Sequence, residues 1–153
     1  MKKTIDVSNK TGELEIVLDK EGTDLEIVGR FQTREIEVKE LKVRIVHRAS
    51  HTNANTVLKG VAWDASQLKL SGTIVIEKSA QQTQSFLREN ILLLSPKAKA
   101  EAIPNLEILA NDVKCSHAAT ISNISEEQVF YFMSRGLTRK KAEKIIVDGF
   151  LTV

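Results

Sequence analysis

The chain has 153 residues, 42% of them hydrophobic, which suits one domain with a continuous core or a domain with a small appendage. Its 22 basic and 20 acidic residues are too evenly balanced, and its aromatic residues too few at 5%, to indicate nucleic-acid binding. No window approaches the ~20 apolar residues of a membrane span. The start MKKTIDVSNK lacks the apolar segment of a secretory signal, so we predict a cytoplasmic protein without membrane contact.

The N-terminal part contains a short repeat at a constant interval. Acidic and aliphatic residues alternate in Glu13–Ile16, Asp24–Ile27 and Glu35–Val38. Alternation with period two predicts half-buried strands, and their fixed spacing indicates a solenoid in which two strands form a rung of roughly 22 residues. The alternative is an antiparallel sandwich or meander, because residues 20–23 would make a reasonable hairpin turn.

The alternation continues to about residue 118. Further strands are predicted at Leu41–His47, Thr56–Asp64, Gln67–Glu77, Phe86–Leu94 and Leu106–Val113. Turns are predicted at residues 21–23, 29–33, 50–55 and 95–96. His47 and His51 flank Arg48 with a spacing that matches no metal site, so we predict a solvated strand end there. Trp63 is predicted to be a core or edge aromatic.

Two helices are predicted near the C-terminus. Ser125 and Gln128 form a capping box at the start of the first helix, which should run to Arg135 and stop at Gly136. Thr138 can cap a second helix, and the short connection makes an αα-hairpin. The apolar residues of the second helix form a single stripe: Ala142, Ile145, Ile146 and Phe150.

Several short motifs follow one another over residues 83–151: NILLLS at 90–95, NLEILA at 105–110, DVKCSHAAT at 112–120, EQVFY at 127–131, SRG at 134–136 and GF at 149–150. Together they resemble the C-terminal signature of the SufB/SufD family, the SufBD core of the Suf iron–sulfur cluster assembly system. SufB looks acidic at the position after His117, where this chain has Ala118, so the resemblance is closer to SufD. Family members are usually far longer, which predicts a short member or a fragment.

The resemblance implies a right-handed parallel β-helix at residues 1–122 and a C-terminal helical domain at residues 123–153. It implies a non-enzymatic scaffold subunit that works with the ABC-type ATPase SufC, which docks on the helices. SufB and SufD pair through the ends of their β-helices, so a SufB/SufD-type chain or a second copy is a further expected partner. The expected ATPase contacts are Phe130, Tyr131, Arg135 and Gly136.

Cys115 and His117 are the candidate metal ligands. They lie two residues apart on a predicted strand and so share a face, while Lys114 and Ser116 point the other way. Imidazole can replace a thiolate as a ligand of iron–sulfur clusters. Cys115 is the only cysteine, so a transient Fe–S cluster would be shared across an interface. The structural alternatives are a histidine that orders the strand-to-helix connection and a buried, inert cysteine.

Two other functions remain open at the level of sequence. The acids at 13/15, 24/26 and 35/37 could stack on neighbouring rungs, as in a β-solenoid carbohydrate-active enzyme, although stacked like charges repel. A structural subunit without cluster chemistry is the second alternative. The chain contains no GxxxxGK[ST] motif, so nucleotide hydrolysis through a P-loop is not expected.

Overall fold

The computed structural model describes residues 2–152, which form nine β-strands followed by two α-helices. The strands are β1 (Lys2–Asp6), β2 (Gly12–Leu18), β3 (Asp24–Thr33), β4 (Val38–His47), β5 (Asn53–Ala62), β6 (Gln67–Ile76), β7 (Thr83–Leu93), β8 (Lys99–Ile108) and β9 (Val113–Asn123). The helices are α1 (Glu126–Ser134) and α2 (Arg139–Leu151).

The strands form two parallel sheets that the chain visits in turn. One sheet has the order β1-β3-β5-β7-β9 and the other β2-β4-β6-β8, and every neighbouring pair is parallel. This is a β-solenoid of about four turns with two C-terminal helices, as predicted. The parallel pairing excludes the antiparallel sandwich.

The turns of the solenoid are longer than predicted. Asp24 lies in register with Asn53, Asn53 with Gln84, and Gln84 with Lys114, so these positions mark the same point on successive turns. The shorter predicted rung is wrong, because it left no room for the loops that join one sheet to the other. The interval from Glu13 to Asp24 separates strands of different sheets, not equivalent strands of one sheet.

Three segments differ from their predicted structure. Glu35–Val38 is mostly a turn instead of a strand, with Glu35 at φ 58° and Ile36 83% exposed. Residues 29–33 belong to β3 instead of a turn. The predicted strand Leu106–Val113 spans the end of β8, a bend and the first residue of β9. Aliphatic residues at each bend extend the alternating pattern past the true strand ends, so periodicity misplaces these boundaries.

The interior of the solenoid is filled by aliphatic side chains from both sheets. Ile45 of β4 and Ile74 of β6 lie in register and are fully buried. Each such side chain contributes ~1.5–3 kcal/mol on burial. Gly72 of β6 brings the sheets close, because a Cβ there would clash with Leu87 Cδ2 and lie 3.0 Å from Glu89 Oε1. The glycine at this position therefore leaves the space that Leu87 and Glu89 occupy.

The helical hairpin begins and ends as its capping residues predict. The Ser125 and Thr138 hydroxyls accept hydrogen bonds from the backbone N–H groups of Gln128 and Lys141, both at 3.3 Å. Gly136 has φ 88° and ends the first helix. A second apolar cluster joins the hairpin to the outer face of β5 and β7: Val61, Leu92, Ile124, Val129, Ala142, Val147 and Leu151. The helices are thus fixed to the outer face of the sheet that contains β3, β5 and β7.

The last turn, β8 and β9, is one open end of the solenoid, and β1 and β2 form the other. Each strand of the last turn is the final member of its sheet and has one unpaired edge. Large apolar side chains at or near this end remain substantially exposed: Ile103, Leu106, Ile108, Leu109 and Ile121. We call β8, β9 and these side chains the open-end surface.

The predicted boundary between residues 122 and 123 falls at the end of β9, which runs to Asn123. That the solenoid and the hairpin are separate domains stays a prediction, and residues 1 and 153, which bound the two predicted units, lie outside the described part of the chain. Within residues 2–152, no helix is long and apolar enough to cross a membrane.

Candidate functional site

Cys115 and His117 face the interior of the last turn. Both lie on β9 and are partly buried, whereas the alternate residues Lys114 and Ser116 are exposed. The predicted shared face is confirmed. Cys115 also packs against the main core, in register with Ser85 of β7.

His117 contacts a buried carboxylate on the neighbouring strand. Its Nε2 lies 3.1 Å from Oε2 of Glu89 on β7, and the two side chains are only 3% and 0% exposed. Burial raises the pKa of the Glu89 carboxyl above its ordinary value, and the hydrogen bond with His117 acts in the opposite direction. An ionisable pair so completely removed from water is unusual in a structural core.

Sequence reasoning missed Glu89, although a signal was present. In the predicted strand Phe86–Leu94, Glu89 lies between Leu87 and Ile91 with the same parity. Alternation therefore placed a carboxylate on the inward, apolar face, where a charged residue is expected only with a partner.

Three buried polar atoms have no hydrogen-bond partner among residues 2–152: Thr56 Oγ1 on β5, Glu89 Oε1 on β7 and His117 Nδ1 on β9. Thr56, Leu87 and His117 share one register position on β5, β7 and β9. Leaving such an atom unsatisfied costs ~1–3 kcal/mol. Buried polar atoms almost always have partners, so the contacting pair of Glu89 and His117, with one unpartnered atom each, is the strongest structural indication of a functional site.

The thiol of Cys115 is not an activated nucleophile. Burial raises its pKa above the ordinary value, so the protonated form is favoured in the isolated chain. Because a metal binds the thiolate, binding at Cys115 would release a proton.

His47 is a structural histidine, and the prediction that it lies at a solvated strand end is wrong. The residue is fully buried, with Nδ1 2.8 Å from Thr52 Oγ1 and Nε2 3.0 Å from Ser85 Oγ. Burial lowers its pKa to about 4, so the ring is neutral. It shares the inward parity of Val43 and Ile45 on β4. His51, in contrast, is exposed and lies 2.9 Å from Glu21.

Cys115 and His117 alone are too few side chains to hold a metal ion. Among residues 2–152, no group of three or more His, Cys, Asp or Glu side chains is placed to hold a metal ion. Cys115 offers sulfur and His117 offers an unpartnered ring nitrogen, and both are ligand types of iron–sulfur clusters. The donor set fits a cluster to which another chain adds ligands.

The predicted partner-binding residues lie on and just after α1. Phe130 is 73% and Tyr131 55% exposed. The Arg135 guanidinium lies 5.2 Å from the centre of the Tyr131 ring, and Gly136 forms the turn that follows. A mainly apolar groove of about 730 Å³ lies between the hairpin and the end of β9, lined in part by Tyr131, Phe132 and Phe150.

The acids of the N-terminal repeat do not stack. Glu13 and Glu15 of β2 approach Lys42 and Arg44 of β4, at 3.8 and 3.7 Å. Asp24 and Glu26 belong to the other sheet, and residues 35 and 37 lie in a turn. The stacked acids that the carbohydrate-active alternative requires are therefore not formed, and Glu13 and Glu15 pair with cations instead.

Sequence comparison with known proteins finds relatives among iron–sulfur cluster assembly proteins. SufD of Escherichia coli K12, an iron–sulfur cluster assembly protein, is 33% identical over 114 residues, covering 74% of this chain and 27% of SufD. The chloroplastic protein ABCI7 of Arabidopsis thaliana is 40% identical over 90 residues, covering 59% of this chain and 19% of that protein.

A SufBD family iron–sulfur cluster assembly protein of Synechocystis sp. PCC 6803 is 31% identical over 137 residues, or 90% of this chain and 30% of the relative. The chain thus spans less than a third of each of these relatives. The family model described as "SUF system FeS cluster assembly, SufBD core domain" matches residues 4–150. The resemblance to the SufB/SufD family, and to SufD in particular, is confirmed: the chain belongs to the SufBD core-domain family of iron–sulfur cluster assembly.

Proposed function

We propose that this chain is a non-enzymatic, SufD-like scaffold subunit that supplies Cys115 and His117 to an iron–sulfur cluster assembled between two chains. The observation that carries the proposal is the position of these two side chains. They face the interior of the last turn, one with an unpartnered ring nitrogen, at the end where both sheets have an unpaired edge.

The open-end surface is the proposed contact with the second chain. Unpaired strand edges present rows of backbone N–H and C=O groups that another strand can satisfy. Here two edges, of 10 and 11 residues, lie beside exposed aliphatic side chains. The partner is a SufB/SufD-type chain or a second copy of this one, and pairing brings its ligands to Cys115 and His117.

The hairpin is the proposed docking element of a SufC-type ATPase. The exposed aromatic residues Phe130 and Tyr131 and the adjacent groove offer apolar anchors of the kind that dominate binding energy at interfaces. Leu92 of β7 packs in the cluster that holds the hairpin, three residues from Glu89. Movement of the hairpin by ATP binding and hydrolysis would therefore act on the strand that contacts His117.

The proposed compartment is reducing, such as the cytoplasm. Cys115 is a free thiol, and a thiol that serves as a cluster ligand must stay reduced.

Anaerobic co-expression with a SufC-type ATPase and a SufB-type chain, followed by mass measurement of the intact assembly, tests the partners. We expect a complex containing the ATPase that is lost when residues 125–153 are deleted. An assembly without the ATPase, or one that retains it after the deletion, would contradict the docking role of the hairpin.

Reconstitution of the same assembly with ferrous iron and sulfide tests the ligands. We expect cluster absorbance in the wild type and its loss in Cys115→Ala and in His117→Ala. Ser116→Ala, an outward-facing neighbour, is the matched control and should keep the cluster. Failure of the wild type to assemble a cluster with its partners present would favour a structural subunit without cluster chemistry.

A further inference from the structure

We propose that Glu89 is a positioning residue for His117: it accepts the proton of Nε2–H and leaves Nδ1 as the ring nitrogen that binds iron. The assignment of the free nitrogen stands on the geometry of the metal-free chain. Only the final step, binding of iron, rests on the function proposed above.

The two ring nitrogens of His117 have unequal surroundings. Nε2 lies 3.1 Å from Glu89 Oε2, within hydrogen-bonding distance. Nδ1 is buried and has no partner among residues 2–152. Since one nitrogen of a neutral imidazole carries the proton and the other a lone pair, the carboxylate beside Nε2 and the unpartnered state of Nδ1 together decide between the tautomers.

The proton belongs on Nε2 for two reasons. If Glu89 donated to Nε2, Nδ1 would carry a buried N–H without an acceptor, and orphaned buried N–H groups are rare. With the proton on Nε2, the unpaired atom is an acceptor, which is tolerated more often. A charge-assisted bond from imidazole to carboxylate is also stronger than a bond between neutral groups.

Glu89 is held where this bond requires it. The residue lies in the middle of β7, paired with β5 on one side and β9 on the other, so its backbone is not free to move as in a loop. Gly72 lies across the interior, and a Cβ at this position would meet both Leu87 and the Glu89 carboxylate. These two side chains therefore fill the space that the glycine leaves. The bond therefore fixes the orientation of the ring before a ligand arrives.

This arrangement matches the general design of histidine ligands. A histidine that binds metal through one nitrogen almost always donates its other N–H to a carboxylate, a carbonyl or water, which fixes the tautomer and raises the basicity of the ligand. Among the residues that contact His117, Glu89 supplies that carboxylate from inside the same chain.

Long-range ¹H–¹⁵N spectra of the imidazoles in the metal-free chain of 153 residues test the tautomer. His47→Gln and His51→Gln assign the other two rings by loss of their signals. We expect a protonated, pyrrole-type Nε2 and an unprotonated, pyridine-type Nδ1 for His117. The reverse pattern would overturn the proposal, whatever any variant does.

Glu89→Gln tests whether the carboxylate sets the tautomer, since glutamine keeps the shape and removes the charge. An ionised glutamate can only accept from Nε2–H, whereas the glutamine amide can also donate to an unprotonated Nε2. We therefore expect the protonated share of Nε2 to fall and that of Nδ1 to rise, with circular dichroism confirming the fold. Glu101→Gln, which removes an exposed carboxylate 3.3 Å from Lys69, should leave the His117 signals unchanged. An unchanged tautomer in Glu89→Gln would overturn the role of Glu89.

The iron-binding step is read separately, in the assembly reconstituted with ferrous iron and sulfide and reduced to a paramagnetic state. Histidine labelled with ¹⁵N at one ring position reports the ligating atom through its hyperfine coupling. Coupling to Nδ1 supports the proposal, and coupling to Nε2 overturns it. No histidine coupling at all would overturn ligation by His117 and the function proposed for it, while the tautomer result in the metal-free chain would stand.

Discussion

His47 and His117 are histidines whose side chains are buried in the same solenoid interior with different hydrogen-bonding states. Both nitrogens of His47 contact hydroxyl groups, which satisfies the ring as a neutral group. His117 has one satisfied nitrogen and one orphan, beside a carboxylate with an orphaned oxygen. A ring with both nitrogens hydrogen-bonded stabilises the fold. A buried nitrogen without a hydrogen-bond partner lowers the stability of the fold, and a ligand that binds it can offset that loss.

The burial of His47 predicts a pH dependence of stability. Its pKa is lowered to about 4 in the folded chain, whereas in the unfolded chain it lies near its ordinary value of about 6.5. Between these values the unfolded state binds more protons, so the contribution of His47 is present above about pH 6.5 and is lost as the pH falls. We expect His47 to remove about 2 kcal/mol of unfolding free energy between pH 7 and pH 5.

Urea denaturation at the two pH values measures this effect. His47→Gln should be destabilised at pH 7 and should lose less stability on acidification than the wild type. His51→Gln, at an exposed position, should keep the wild-type difference. Parallel curves for the wild type and His47→Gln would contradict a neutral, buried His47.

At the scale of elements, the sequence predicts the type of each segment, helix or strand, better than it predicts the residue at which the segment ends. The caps of both helices were readable because Ser125, Gly136 and Thr138 act on their own neighbours. The inward-facing positions of β7 and β9 could also be predicted, because alternation along a strand is a local pattern too. The strand boundaries near Glu35 and Val113 could not be predicted, since the positive φ at Glu35 and the bend after β8 occur where the chain makes hydrogen bonds with a neighbouring turn.

The candidate site shows the same limit. Cys115 and His117 could be placed on one face from their spacing alone. The contact between His117 and Glu89 joins residues 28 positions apart, so it requires the pairing of β7 with β9. A wrong estimate of the rung length pairs β9 with the wrong strand, so the contact between His117 and Glu89 cannot be predicted.

The close approach of the two sheets at Gly72 predicts a sensitive position. In Gly72→Ala, the new Cβ would clash with Leu87 Cδ2, so Leu87 and Glu89 must shift. We expect a loss of ~1–3 kcal/mol from overpacking, measured by urea denaturation. Gly149→Ala in α2 is the control, because nothing lies within 4 Å of its Cβ. Alanine there should be neutral or stabilising by up to ~1 kcal/mol, and equal effects at the two glycines would contradict tight packing at Gly72.

At the scale of the whole molecule, the open-end surface sets the expected mode of assembly. A charged side chain on an edge strand opposes pairing with another strand. We expect Ile103→Lys, on β8, to weaken the dimer formed with the SufB/SufD-type partner or a second copy at least tenfold, measured by analytical ultracentrifugation.

Ile36→Lys is the matched control, because Ile36 is 83% exposed in the turn between β3 and β4, away from this end. It should leave the dissociation constant unchanged. A wild-type chain that associates with neither a SufB/SufD-type partner nor itself, or equal weakening by the two lysines, would contradict assembly through the open end.

The position of Cys115 and His117 on the last turn also has an energetic consequence. In a solenoid each turn is stabilised by its neighbours, and β8 and β9 have a strand neighbour on one side only. Local opening of the last turn therefore needs less free energy than opening of the interior turns, and fraying there would expose the buried nitrogen of His117. A partner chain that caps this turn would suppress fraying, so that the ligands become ordered and the assembly becomes complete in a single cooperative step.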